Sequence, residues 1–220
     1  MADFRNMPSR TLSSFDQLVV RSSTFMAAGF ARRFDDLNDN TLATWGVVGS
    51  VAVDATRGPG VWTFPNTNFT LLINGSPVVA NPAATPWHLA GRFKLVTAAA
   101  ANEVKGVSLG EGSVTSQLHV GLKQAISATK FVFSVTKASA VVSALSTVSL
   151  DTTAFHIGEL WFDGTSVYGS VDNETPVLVT TAANVPIVVL FERHGTETAA
   201  GGADGLLIDY VYFAAGRTAA

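Results

Sequence analysis

The sequence predicts an all-β protein, a two-sheet antiparallel sandwich preceded by an N-terminal arm. Three observations carry this. Short apolar runs recur between tight-turn signals roughly every 8–12 residues through most of the chain. The runs are rich in Val and Thr, which suit a pleated, half-buried surface. The last of them, Gly205-Leu206-Leu207-Ile208-Asp209-Tyr210-Val211-Tyr212-Phe213, reads as a closing strand. There is no internal repeat.

The arm comes first. Residues 1–33 hold Arg5, Arg10, Arg21 and Arg32 and lack hairpin signals. Leu12, Phe15, Leu18, Val19, Phe25, Met26 and Phe30 fall at spacings that favour one helical face. Ser14 and Gln17 can form a capping box. Val19-Val20 and Ser22-Ser23-Thr24 are poor helix formers, so the arm is expected to be partly helical or extended. Its stripe is too short for a domain and is expected to pack on the body or on a neighbour. Leu12, Phe15, Leu18, Val19, Phe25 and Met26 are its candidate partner-binding residues.

Residues 34–220 read as the β-sandwich domain. Asn74-Gly75 between Phe69–Ile73 and Ser76–Val79 is a type I′ hairpin signal, with Pro77 placing the second strand at an edge or marking its start. Trp87–Val96, Val114–Val120, Lys130–Val135 and Ala140–Leu150 read as strands, with Phe131, Phe133 and Val135 on one face. Phe155–Phe162, the Asp163-Gly164 turn, Thr165–Val171, the Asp172-Asn173-Glu174 turn and Pro176–Thr180 form a meander. Val185–Glu192 is almost continuously apolar, as in a strand buried on both faces, and His194–Gly205 reads as a loop.

Composition narrows the partners. Charged residues make up 14% of the 220, against roughly 25% in an average soluble domain. Either surface is buried against other subunits, or a Ser/Thr/Gly-rich surface replaces charge with neutral hydration. A net charge of −3 and a pI near 5.7 give no footprint for nucleic acid. With no cysteine, disulfides and thiolate metal sites are excluded. No run approaches the ~18–20 apolar residues of a membrane span. Met1-Ala2-Asp3-Phe4-Arg5-Asn6 has no apolar core of a secretory signal, so Sec export is not expected.

Phe34-Asp35-Asp36-Leu37-Asn38-Asp39 with Trp45-Gly46, then His156-Ile157-Gly158-Glu159-Leu160-Trp161-Phe162-Asp163-Gly164-Thr165 with Val171-Asp172-Asn173, then Leu207–Val211, stand in a telling order. That order resembles the concanavalin A-like lectin/glucanase superfamily. The resemblance covers about residues 34–217 and implies a jelly-roll sandwich. The superfamily holds lectins, glycoside hydrolases and non-catalytic virion modules, and fold does not choose among them. The cysteine-free, Ala/Thr/Val-rich style with an arm resembles a tailed-phage structural protein.

No residue set reads as an active site. Glu159 and Asp163 do not make the superfamily's catalytic phrase, and Glu159 is expected to face solvent. His156 is expected to be a satisfied structural histidine. His88, His119 and His194 are scattered without a His-x-x-x-His pair, and no Gly-x-Ser-x-Gly occurs. Alternation groups Asp209 with Leu207 and Val211, where it is hydrogen-bonded or exposed on the outer face or, as the resemblance allows, a calcium ligand. Gly106–Gly112 lacks the helix of a phosphate loop and reads as a turn. Trp161 is expected in the core, although Trp45, Trp62, Trp87 and Trp161 can supply a sugar-stacking platform.

The expectation is a non-enzymatic virion structural protein with no cofactor, made in the host cytoplasm. It would be a capsid decoration or cement protein, or a head fibre or tail component. It would contact other virion proteins and its own copies, preferably as a trimer. The alternative is a carbohydrate-binding, lectin-like module for host adsorption. A glycoside hydrolase is the third reading and needs two acids converging in a cleft.

Overall fold

Alternate side chains of a strand point to opposite faces, so burial along each strand shows which face meets the core. The computed structural model describes residues 31–35, 45–53, 61–65, 70–74, 78–96, 102–111, 115–198 and 205–216. Among them fifteen strands form two antiparallel sheets, with no α-helix and one 3-10 turn at Ala182–Asn184.

The eight-stranded sheet runs β13 (Val177–Thr181), β12 (Ser166–Val171), β11 (His156–Phe162), β6 (Trp87–Leu95), β15 (Leu206–Ala215), β4 (Trp62–Phe64) and β3 (Ala52–Val53). β1 (Ala31–Asp35) also lies on β15, against Val211–Ala215, while β4 takes Leu206–Ile208. Residues 31–33 thus begin a strand of the sandwich. The seven-stranded sheet runs β10 (Ala140–Ser149), β9 (Lys130–Lys137), β8 (Thr115–Lys123), β7 (Val104–Glu111), β14 (Phe191–Thr198), β5 (Thr70–Asn74) and β2 (Trp45–Val48).

The core lies between the sheets. Phe64, Trp87, Leu89, Phe93, Leu160 and Phe162 meet Val107, Leu109, Leu118, Val120, Phe131 and Phe133 there. Each such side chain contributes about 1.5–3 kcal/mol by leaving water. Phe131, Phe133 and Val135 share the inward face as their alternation predicts. This is the two-sheet antiparallel jelly roll expected from the sequence.

Four local readings are corrected. β5 pairs with β14 and β2, and Val79 bridges Leu190 instead of returning along β5; Gly75–Pro77 lie outside the described residues. The segment 185–190 is not a doubly buried strand, since Ile187 is 69% exposed. The strand is β14, which absorbs His194–Thr198 because β7 and β5 hydrogen-bond it from both sides. Gly106–Gly110 is not a turn but the middle of β7. Gly106 has φ +152 and faces Gly121, where an added Cβ would lie 2.3 Å from the Val120 carbonyl oxygen.

β15 carries a further correction. Ile208 stands opposite Phe93 and Tyr210 opposite Arg92, so Asp209 is the extra residue of a β-bulge. Leu206 and Ile208 point inward before it; Val211, Phe213 and Ala215 point inward after it. Asp209 therefore shares no face with Val211. Tyr210, Tyr212 and Ala214 turn to the outer face, where they form a second buried cluster with Ala90.

Candidate binding cleft

The outer face of the seven-stranded sheet carries a cleft of about 790 Å³. Its floor comes from positions that alternate with core residues. Gln117, His119 and Lys123 of β8 lie on the face opposite to Leu118, Val120 and Leu122. Thr136 of β9 and Val141 of β10 continue the floor, and Pro186-Ile187-Val188 form one wall. The Ala138-Ser139 turn closes an end, with both residues at positive φ (48° and 69°). That is the backbone of a two-residue type I′ hairpin, built here without glycine or asparagine.

The polar groups of the cleft are held in place. Gln117 Nε2 donates to Glu111 Oε2 at 3.3 Å. Lys137 Nζ donates to the Ala183 carbonyl at 2.7 Å, tying β9 to the 3-10 turn. Arg193 Nη2 lies 3.7 Å from Glu197 Oε1. Burial lowers the Lys123 pKa, and the Glu197 carboxylate opposes that shift.

Ser108 and His119, which lines the cleft, form a pairing that looks nucleophilic. His119 Nε2 faces the Leu122 carbonyl at 3.2 Å, which only accepts, so Nε2 carries the proton. Ser108 Oγ–H then donates to Nδ1 at 2.8 Å. Burial, with Lys123 nearby, pushes His119 down to about 3. A general base works best with a pKa near the operating pH, so this imidazole is a poor one. The pair is read as structural.

The acids of the cleft do not converge. Thr196 stands opposite Lys105 and Thr198 opposite Val104, so Glu197 lies beside the start of β7 while Glu111 ends it. Six to seven strand residues separate them, about 20 Å at the strand rise. Glycosidase carboxyl pairs need about 5–9.5 Å. Glu192 stands opposite core Leu109 and His194 lies 5.4 Å from the core Trp45 ring, so both point between the sheets. His194 Nε2 and Glu192 Oε1 are 3.4 Å apart there, and both residues are fully buried.

Other sequence candidates lie elsewhere. His156 is buried, with Nδ1 2.6 Å from Asp172 Oδ2, and is only half satisfied, since Nε2 lies 3.8 Å from Asp151 Oδ2 and makes no hydrogen bond. Asp209 pairs with Arg92, whose guanidinium lies 4.5 Å from the Phe155 ring centre. That is the hydrogen-bonded alternative for Asp209. Among the described residues no group of three or more His, Asp or Glu gathers at a metal-binding spacing.

Glu159 is not solvent-facing. It is buried on the outer face of the eight-stranded sheet, 3.6 Å from His88 Nε2, because that face is itself a packed aromatic layer. Trp161 is not in the core. It stacks on Tyr168 in the same layer, half-buried, with rings 5.9 Å apart, while Trp45, Trp62 and Trp87 are core residues. No Trp, Tyr or Phe side chain lines the cleft among the described residues. Leu12, Phe15, Leu18, Val19, Phe25 and Met26 lie outside the described residues.

Solved structures agree with this architecture. No protein-family model matches the sequence, and no curated protein sequence matches it. A Shewanella oneidensis MR-1 protein of unknown function, SO2946, superposes with TM-score 0.54 at 14% identity, over 97% of this chain and all of its own. An endo-1,3-beta-glucanase from Streptomyces sioyaensis gives 0.56 at 12%, over 86% of this chain and 98% of its own. The binding domain of botulinum neurotoxin serotype G gives 0.56 at 9%, over 77% of this chain and 42% of that one. The protein thus has the concanavalin A-like jelly-roll fold. That fold is shared by enzymes and binding domains, and similarity at this level shows the fold alone.

Proposed function

We propose that the protein is a non-enzymatic structural subunit of a tailed-phage particle, a capsid decoration or cement protein. One observation carries this reading. A chain with 14% charged residues also exposes Val141, Leu145, Leu178, Ile187 and Val189. Apolar exposure with so little charge is covered by association, and burying it stabilises each subunit by mass action. Native mass measurement of the full chain tests this, with electron microscopy of particles that carry it. A closed homo-oligomer and ordered density on the particle are expected. A chain that stays monomeric at high micromolar concentration would overturn the reading.

The cleft favours a second reading, a carbohydrate-binding module. Gln117, Thr136 and Ser139 offer neutral hydrogen-bonding groups suited to sugar hydroxyls. The fold is shared with a glucanase and with a toxin binding domain. A glycan array gives the test: binding should appear and should vanish in Gln117→Ala while the fold persists. An array blank for the wild type removes this reading.

A further inference from the structure

We infer that the protein self-associates through the free edge of β10, two copies pairing antiparallel across residues 141–145. This rests on the homo-oligomer reading above and specifies its contact. Among the described residues β10 ends the seven-stranded sheet, so one side of its backbone has no ladder partner there. The two-residue Ala138-Ser139 turn fixes which side. Lys137 and Ala140 flank it and form the hydrogen-bonded pair, so Val142 and Ala144 also bond inward to β9. Val141, Ser143 and Leu145 are left with their N–H and C=O groups pointing outward.

Natural sheets guard such edges with lysine, proline or bulges. Ala140–Ser149 holds no charged residue and no proline, and its register stays regular from Ala140 to Leu145. Guarding begins only beyond that stretch, where Glu174 Oε2 accepts the Thr147 N–H at 2.6 Å. The open edge therefore has a defined length.

The occupant is a second copy because the edge is complementary to itself. A two-fold axis at Ser143 sets Ser143 against Ser143 and Val141 against Leu145 twice. All of these side chains lie on the cleft side. Val141 and Leu145 are 48% and 44% exposed, and each such cross-strand pair buries both. No charge is brought against its like across the axis. The joined sheets run continuously through fourteen strands and set two clefts side by side, which makes the dimer bivalent for any repeated ligand. A two-fold contact of this kind gives dimers or larger even-numbered assemblies, not the closed trimer expected from the sequence.

The experiment is analytical ultracentrifugation of the full chain as wild type, Ser143→Lys and Ser143→Thr. Lysine sets two cations against each other at the axis, whereas threonine keeps the strand neutral. Even-numbered wild-type assembly is expected, with dissociation at least tenfold stronger in S143K and unchanged in S143T. Circular dichroism and melting should show all three folded. An oligomer indifferent to S143K would overturn the edge contact while leaving the homo-oligomer reading intact. A trimeric wild type would do the same. A monomer at every concentration would overturn both.

Discussion

Glu174 holds together a place where two sheets would otherwise part. The β10–β9 register breaks between Leu145 and Ser149, and the intervening residues lose their ladder partners. The Glu174 carboxylate, projecting from the β12–β13 turn of the other sheet, replaces them. Oε1 accepts from Ser146 Oγ–H at 2.6 Å and from the Val171 N–H at 3.0 Å. Oε2 accepts from the Thr147 N–H at 2.6 Å and from the Thr147 hydroxyl. Thr147 is exposed and Glu174 half-buried, so each bond is taken at the low end, about 0.5 kcal/mol. Four bonds give about 2 kcal/mol for Glu174→Ala, or a Tm lower by about 4–8 °C at this chain length. Glu174→Gln keeps one oxygen and should lose about half of that.

Partial burial alone would raise the Glu174 pKa; the bonds from Ser146, Thr147 and Val171 outweigh it and hold the carboxyl below its ordinary value. A depressed carboxylate contributes stability that is full above its unfolded-state pKa. That stability is lost as pH falls through the folded one. Wild type and E174Q should therefore differ at pH 7 and converge in acid, below the ordinary carboxylate range. Urea unfolding followed by circular dichroism at pH 7, 5 and 3.5 reads this directly. A pH-independent gap, or a loss in E174A below about 0.5 kcal/mol, would refute the reasoning.

Three other outcomes are expected. Ala138→Asn with Ser139→Gly should stabilise the chain by about 1–2 kcal/mol in urea unfolding, because both positions sit at left-handed φ that these residues tolerate better. Gly169→Ala should cost about 2–3 kcal/mol, since its Cβ would lie 2.3 Å from the Phe133 ring, and Phe133→Leu in the same chain should restore part of it. His119 is held neutral, down to about 3, while the unfolded imidazole titrates near 6.5. The lowered value means that its contribution is full above the unfolded pKa and declines as pH falls from about 6.5 toward 3. His119→Gln should flatten the stability profile across that window.

The hairpins that close locally were legible in the sequence. The β11–β12 hairpin, with its Asp163-Gly164 turn, joins residues a few positions apart, and alternation sets the inward face of Phe131, Phe133 and Val135 in β9; it does not reveal that Trp161 of β11 lies in the outer layer. What failed depends on distant neighbours. His194-Gly195-Thr196 looks like the start of a polar loop, yet β7 and β5 pair with this stretch from both sides. Pro186-Ile187-Val188 looks like part of a core strand, yet it serves as the cleft wall. One inserted residue, Asp209, reverses the faces of everything after it in β15. The cleft was hidden for the same reason. Gln117, His119, Thr136 and Val141 look like ordinary outward positions, and only register brings them together with 186–188.

Glu174 also links stability to association. The odd-numbered residues of β10 present their amides to the free edge, and Glu174 occupies the one at Thr147. Removing the carboxylate lowers stability and at the same time frees a further edge donor next to Leu145. E174A should therefore melt earlier and associate more strongly than the wild type. General loss of structure would also raise association, and Ser143→Lys separates the two causes. In the double variant, edge pairing is blocked at the two-fold axis, so the excess association should vanish while the lowered Tm remains. Aggregation that persists in E174A/S143K would mean that unfolding, and not the β10 edge, had driven it.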